Sequence, residues 1–93
     1  MALIYDKPSP SYKSGHRVMC SHLMSTLDGY EGQQELIEFG KTIGLKPSWL
    51  QKKDTPYEHF DLMGSKIFAA GAAGAHEVPG RELVEVIRRR KNA

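Results

Sequence analysis

Two segments near the start of the chain are predicted to be β-strands. Residues 2–5 form a short apolar run that ends at Asp6, and apolar residues return at 17–24 after a loop rich in proline, serine and basic residues. Successive side chains of a strand point to opposite faces of the sheet, so the second strand should divide into two sets. One set of side chains is expected to share a face: Val18, Cys20, His22 and Met24.

Two later segments show the three-to-four-residue spacing of a helix that buries one face. The first covers residues 33–43 and ends before Gly44, and the second covers residues 63–73 and ends before Gly74. Glycine is common just beyond the last residue of a helix. The second helix is rich in alanine and glycine, which permits close packing against a sheet or a second copy of the chain.

The end of the chain is predicted to hold a short strand and a third helix. Residues 75–78 read as the strand, and Pro79 suits the first turn of a helix. Leu83, Val84 and Ile87 should then face inward. The basic run at residues 88–91 complements the negative end of the helix dipole, and we favour this structural interpretation over a nucleic-acid-binding tail.

These elements indicate one domain spanning residues 1–93. Their order is strand, strand, helix, extended segment, helix, strand, helix, which is typical of α/β domains. We predict a short, mostly parallel sheet of three or four strands with about three helices. Trp49 follows Pro47 in a short helical turn and is expected in the core, the alternative being a half-buried side chain at the wall of a site. A core of this size is modest, which favours a homo-oligomer.

Composition is that of an ordinary globular protein, with 40% hydrophobic and 26% charged residues. The formal net charge of +2 is too small to predict binding to duplex nucleic acid, so nucleic acid is a possible partner that we do not favour. The single cysteine, Cys20, excludes an intrachain disulfide. No apolar run is long enough to cross a membrane and no secretory signal is recognisable, so we expect a cytoplasmic protein without a membrane partner.

The densest group of chemically active residues lies between positions 56 and 66. His59 and Asp61 would share a face if this segment is extended. Ser65 and Lys66 follow at the predicted start of a helix, where backbone N–H groups favour anions. The purely structural alternative is that Asp61 caps the helix and His59 bonds to nearby backbone.

Candidate site residues follow from this group and from the ends of the predicted strands. His22 is expected among apolar neighbours, so a packed histidine is the alternative to a catalytic one. Arg17 and Lys66 would hold a phosphate group, and an aromatic side chain would stack on a base. The predicted catalytic residues are His22, His59 and Asp61. The predicted ligand-binding residues are Asp6, Arg17, Tyr57, Ser65 and Lys66. Two histidines and two carboxylates are donors that suit a divalent metal, but the spacing matches no metal, P-loop or dinucleotide motif, so we assign no metal ligands and no cofactor and leave the use of a metal open.

Three motifs occur in a characteristic order: Ser21-His22-Leu23, then His59-Phe60-Asp61-Leu62, then Ser65-Lys66. In order and spacing, over nearly the whole chain, the sequence resembles the small bacterial and phage proteins of domain-of-unknown-function family 4031. The family's tyrosine between the histidine and the aspartate is Phe60 here. The resemblance implies the fold and the position of the site, and by analogy a phage origin; the family name specifies no activity.

The function that we predict is binding of an anionic, nucleotide-like small molecule. In a phage protein this binding would sequester a signalling nucleotide of the host. One alternative is a phosphoester hydrolase or phosphotransferase that uses His59 and Asp61 as general acid and base. Another is a protein–protein interaction module.

Overall fold

A β-sheet with helices on both faces is the framework of the computed structural model, which describes residues 2–93 without the side chain of Lys13. This confirms the predicted α/β class. The strands are β1 (Leu3–Asp6), β2 (Ser9–Lys13), β3 (His16–Ser25), β4 (Phe60–Met63) and β5 (His76–Val78). The helices are α1 (Gly29–Thr42), α2 (Ser65–Ala72) and α3 (Gly80–Lys91), and Pro47–Trp49 form a 3-10 turn.

The long strand β3 is the centre of the sheet. It pairs antiparallel with β1 and β2 on one edge and with β4 on the other, and β5 is added beside β1. Among the described strands, β1 and β5 alone run parallel. The prediction of a mostly parallel sheet of three or four strands is therefore wrong, since the five-stranded sheet is mixed and mainly antiparallel.

The additional strand is β2, in a segment that the sequence predicts to be a loop. Ser14 and Gly15 both have positive φ, at 50° and 79°, and they connect paired Lys13 and His16. Two central residues with positive φ are typical of the type I′ turn that joins β-hairpin strands. Pro10 suggested a loop, but proline is tolerated in a strand at the edge of a sheet.

Alternation along β3 divides the interior into two layers, as predicted. Leu23 faces the larger cluster, where helices α1 and α2 contribute Leu36, Phe39 and Ala70. Its neighbour Met24 faces the opposite side of the sheet and packs against α3. The cluster on this second side is smaller and leaves part of the sheet face uncovered.

Helix α1 begins at Gly29, four positions before the predicted residue 33. The glycines in this segment indicated a turn, but Gly32 lies inside the helix for a packing reason. A Cβ atom at position 32 would lie 2.2 Å from the carbonyl oxygen of Leu27. Glycine therefore lets the first turn of α1 lie directly against the preceding loop.

Two predicted core side chains are placed differently in the structure. Trp49 is half exposed, and the ammonium of Lys46 lies 5.7 Å from the centre of its ring. In α3 the buried stripe consists of Leu83, Val86 and the half-buried Ile87, which are the positions that share one helical face. Val84 is turned out of this stripe and is 50% exposed, so the prediction that it faces inward is wrong.

The basic end of α3 holds the loop between β3 and α1. Arg89 Nη2 donates to Asp28 Oδ1 at 2.8 Å, and Arg90 Nη2 donates to the carbonyl oxygen of Leu27 at 2.8 Å. These bonds support the structural interpretation of the basic run.

A second loop, residues 51–58, is fixed by α1. The amide of Gln33 donates to Asp54 and to the buried Glu58, in each case at 2.7 Å.

Within residues 2–93, no helix has the length and apolarity needed to cross a membrane.

Candidate functional site

The uncovered part of the sheet face carries the candidate site. His22 of β3 is directly paired with Asp61 of β4, so their side chains project from the same face. Asp6 ends β1 on the other edge of β3, and His59 lies one residue before β4. Strand pairing therefore brings together residues that are far apart in the sequence.

Asp6 and His22 form the first histidine–carboxylate pair. Asp6 Oδ1 accepts from the His22 backbone N–H at 2.7 Å and from the Ser21 hydroxyl at 2.8 Å, and Asp6 Oδ2 lies 3.1 Å from His22 Nδ1. Partial burial acts to raise the pKa of Asp6, but these hydrogen bonds outweigh it and the pKa lies below its ordinary value. The ionised carboxylate accepts the Nδ1 proton, which leaves Nε2 as the acceptor nitrogen of neutral His22.

His59 and Asp61 form the second pair, with a different arrangement. His59 Nδ1 lies 2.7 Å from the carbonyl oxygen of Tyr57. Since a carbonyl oxygen only accepts, Nδ1 carries the proton and donates it. His59 Nε2 then faces Asp61 Oδ1 at 3.2 Å, while the other oxygen of Asp61 accepts from the Gln51 side-chain amide.

The two pairs are neighbours. The ring centres of His22 and His59 are 5.3 Å apart, with the rings inclined at 74°. His22, His59 and Asp61 each offer one metal-ligating atom, and these three atoms all lie within 4.8 Å of one another. The cluster has the donor types for a divalent cation and the acid and base groups for proton transfer.

A cleft of about 330 Å³ opens beside this cluster, and we call it the His–Asp cleft. Asp6, His22 and His59 supply polar lining, and Lys52 and Tyr57 contribute from the loop at 51–58. The α3 side of the cleft and the neighbouring sheet position are apolar: Leu83, Val84, Ile87 and Met24. Mainly apolar walls with a few polar groups are typical of small-molecule sites, and the volume lies at the lower end of their range.

A family model described as "Protein of unknown function (DUF4031)" matches residues 5–90. The chain belongs to the DUF4031 family. The matched span contains Asp6, His22, His59 and Asp61 together with the α3 wall of the His–Asp cleft. The curated proteins and the solved structures contain no match to the chain.

In this DUF4031 chain, five of the eight predicted site residues come together. The three predicted catalytic residues form the cluster, Asp6 bonds to His22, and Tyr57 lines the His–Asp cleft.

The other three predicted ligand-binding residues lie elsewhere. Arg17 is exposed near the hairpin turn, opposite Tyr12. Ser65 is the exposed first residue of α2. Lys66 Nζ donates to the carbonyl oxygen of Ile43 at 2.6 Å and so satisfies the end of α1. None of these described side chains lines the His–Asp cleft.

Two polar residues of the site, Gln51 and Lys52, were not predicted, and neither were the apolar residues of the cleft wall. Gln51 and Lys52 belong to a polar loop whose sequence shows no ligand-binding motif. A backbone bridge between Gln51 and His59, with N···O distances of 2.9 and 3.1 Å, brings this loop to β4. The pairing joins residues eight positions apart, so a strand pattern of period two gives no signal for it.

Proposed function

We propose that the His–Asp cleft binds a small anionic molecule with a planar or apolar part, of the nucleotide class. The carrying observation is that one cleft combines an apolar helix wall with two histidines, a lysine and a tyrosine. In a phage protein this binding would serve to sequester a nucleotide made by the host.

The apolar wall suits the ring part of such a ligand. Leu83 and Ile87 are anchored in the smaller cluster, while Val84 is half exposed and lines the cleft. Tyr57, 45% exposed, faces the same cleft from the loop. A base placed between Val84 and Tyr57 would cover apolar surface on both partners.

The positive groups suit the anionic part. Lys52 lines the cleft, and so does Gly80 at the start of the twelve-residue helix α3. Backbone N–H groups at the start of a helix favour anions. The negative charge of Asp6 is met by two donors on Oδ1 and by the His22 ring on Oδ2, which reduces its repulsion of an anion.

Phosphoester hydrolysis is the second candidate, and the Asp6–His22 pair favours it. Asp6 orients the ring through Nδ1, so that Nε2 of a half-exposed histidine is free to accept a proton from water. His59 lies next to His22, with ring centres 5.3 Å apart, and in its doubly protonated form it would donate the Nε2 proton to a leaving group while Nδ1 stays bonded to the carbonyl oxygen of Tyr57. A phosphotransferase would use the same two groups with an acceptor other than water.

Calorimetric titration with adenosine monophosphate, adenosine and inorganic phosphate tests the binding proposal. We expect the monophosphate to bind more tightly than either part alone. Lys52→Gln should weaken this binding about tenfold by removing a charged hydrogen bond. Lys53→Gln is the matched control, because Lys53 is an exposed neighbour that does not line the cleft. Equal losses in both variants, or no binding at all, would contradict the proposal for this probe.

Chromatography of the nucleotide after incubation separates the two candidates. Intact nucleotide recovered in a one-to-one complex supports binding alone, and conversion to adenosine and phosphate supports hydrolysis. His22→Asn should abolish conversion while leaving most of the affinity. To identify a natural ligand, we would incubate the protein with cell lysate, denature it with heat and analyse the supernatant by mass spectrometry.

A further inference from the structure

We propose that His22, His59 and Asp61 form a binding site for a divalent transition-metal cation of the Zn²⁺ type. The sequence assigns no metal ligands, because the spacing of these residues matches no metal motif such as His-Glu-x-x-His. The pairing of β3 with β4 nevertheless brings one ligating atom of each to within 4.8 Å of the others. The site is independent of the proposed nucleotide and stands whether or not the cleft binds one.

The strongest indication is the contact between His59 and Asp61. The proton on His59 Nδ1 is committed to the carbonyl oxygen of Tyr57, so the Nε2 lone pair of the neutral ring faces Asp61 Oδ1 at 3.2 Å. Two acceptors at this distance repel each other unless a positive charge lies between or beside them. A proton on Nε2 or a metal cation bound to both atoms satisfies both lone pairs, and of the two only the metal cation would also be bound by His22.

The same distance fits a shared cation. Zinc binds nitrogen at 2.0–2.1 Å and carboxylate oxygen at 2.0–2.2 Å, which places two ligand atoms of a tetrahedral site about 3.3 Å apart. The separation of 3.2 Å between His59 Nε2 and Asp61 Oδ1 agrees with this value. His22 must come closer than the 4.8 Å limit, and its half-exposed side chain would do so by a small shift that keeps Nδ1 bonded to Asp6.

Both histidines have the outer contacts of metal ligands. A ligating histidine commonly donates its other ring N–H to a carboxylate or a backbone carbonyl, which orients the ring. His22 has Asp6 in this role, and His59 has the carbonyl oxygen of Tyr57. Asp61 is itself held by the Gln51 amide. All three proposed ligands are thus oriented by their neighbours.

The donor set selects the class of metal. Two imidazole nitrogens and one carboxylate oxygen suit Zn²⁺, Co²⁺ or Ni²⁺, whereas Mg²⁺ prefers oxygen ligands alone. Three protein ligands leave a fourth position of a tetrahedral site for water or an anion. Because His22 and His59 line the His–Asp cleft, that position would be reached from the cleft.

The test is a titration of the full chain, after treatment with a chelator, with Zn²⁺, Co²⁺ and Mg²⁺ and with no nucleotide present. We expect one equivalent of Zn²⁺ by calorimetry, a visible absorption band with Co²⁺ and no binding of Mg²⁺. The chain contains its own control, since His16 and His76 are exposed and lie outside the cluster. The double variant H22A/H59A should lose the binding, and H16A/H76A should keep it.

Two further variants keep the test decisive if H22A/H59A does not fold. Asp61→Asn retains the shape of the side chain and removes its charge, and Gln51→Ala removes an outer partner, which typically lowers metal affinity about 10–100-fold. Thermal unfolding of each chelator-treated variant checks the fold. Equal Zn²⁺ affinity in Asp61→Asn and in the unmodified chain, or equal loss in H16A/H76A, would overturn the proposal.

The outcomes separate this inference from the proposed function. Nucleotide binding is measured in the presence of chelator, and metal binding without nucleotide. Binding of Zn²⁺ but of no nucleotide keeps the metal site and rejects the proposed ligand. Binding of nucleotide but of no Zn²⁺ or Co²⁺ keeps the proposed ligand and rejects the metal site.

Discussion

Asp61 lies directly opposite His22 in the antiparallel pairing of β4 with β3. The next residues of β4 and β3, Leu62 and Ser21, form the following pair and point into the opposite layer. A register shift of one residue would exchange these faces and bury the carboxylate. The alignment that fills the core with Phe60 and Leu62 is therefore the same alignment that assembles the site.

Asp6 is expected to contribute to stability as well as to the site. Its carboxylate accepts from the buried Ser21 hydroxyl and from the His22 backbone and ring. We expect Asp6→Ala to lower the free energy of unfolding by about 1–3 kcal/mol, because the His22 backbone N–H and ring lose their acceptor, whereas the Ser21 hydroxyl keeps the main-chain carbonyl oxygen of residue 6. Urea denaturation at neutral pH measures the change. Glu77→Ala, at an exposed position of β5, is the control and should have little effect.

The contact between Asp28 and Arg89 predicts a pH dependence. The Arg89 hydrogen bond holds the pKa of Asp28 below 3.8, its ordinary value. A carboxylate with a lowered folded-state pKa stabilises the fold above its unfolded pKa, and this contribution disappears as the pH falls through the folded pKa. Asp28→Asn should therefore destabilise the protein at neutral pH and have no effect well below 3.8.

The measurement is the urea midpoint of Asp28→Asn and of the unmodified chain at several pH values. Added salt should reduce the difference between the two midpoints at neutral pH. Glu85→Gln is the matched control, because Glu85 and Arg88 form an exposed pair on the same helix. Such pairs contribute little. A difference between Asp28→Asn and the unmodified chain that grows as the pH falls would show that the sign is wrong.

Lys66 is expected to stabilise the fold rather than to bind the ligand. Its ammonium donates to the carbonyl oxygen of Ile43 at the end of α1. Lys66→Met should lower the free energy of unfolding by about 1.5–3 kcal/mol, the usual contribution of a charged hydrogen bond. Folded Lys66→Met should keep the affinity of the unmodified chain for adenosine monophosphate. Arg17→Ala should keep it too, because Arg17 also lies outside the His–Asp cleft. A selective loss of affinity would instead support the role in ligand binding predicted for Lys66 from the sequence.

The homo-oligomer predicted from the sequence would use the outer face of α2. Phe68 is 81% exposed and stands beside a mainly apolar groove of about 520 Å³, which is also lined by Pro8, Met19 and Ala72. A projecting ring next to a groove can pack against its own copy about a two-fold axis. We therefore expect light scattering to report a dimer for the unmodified chain and a monomer for Phe68→Glu.

Tyr30→Glu is the control for this experiment, since Tyr30 is an equally exposed aromatic residue on α1. Ala70 also lies in α2, but it is unsuitable for testing the dimer interface. It is fully buried, so Ala70→Arg would disturb the fold before it disturbed an interface. A monomeric unmodified chain would contradict the predicted homo-oligomer.

Local patterns predicted the parts of the fold that depend on neighbouring residues. The opposite orientations of Leu23 and Met24 follow from the alternation within one strand. The position of α2 follows from its spacing and from Gly74. These features depend only on residues within about one helical turn or one strand, so the spacing of apolar residues in the sequence is enough to predict them.

Long-range pairing was beyond such patterns. The sequence does not predict β2, because Pro10 within it and Pro8 just before it are typical of a loop, and only the pairing with β3 makes the segment a strand. Closeness in the sequence joins Ser65 and Lys66 to His59 and Asp61, while Asp6 and His22 are predicted from the two N-terminal strands without any indication of which residues they contact. The structure uses Lys66 at the end of α1 and brings Asp6 and His22 to His59 through pairing across the sheet.

The bond from His59 Nδ1 to Tyr57 has an evolutionary consequence. Its acceptor is a main-chain oxygen, so a substitution at position 57 that keeps the backbone path leaves the proton of His59 where it is. A deletion or insertion between residues 51 and 58 would move that oxygen even if every remaining side chain were unchanged. The length of the loop therefore determines which nitrogen of His59 carries the proton. We expect relatives that keep this histidine–aspartate pair to differ in the residues of the loop more often than in its length.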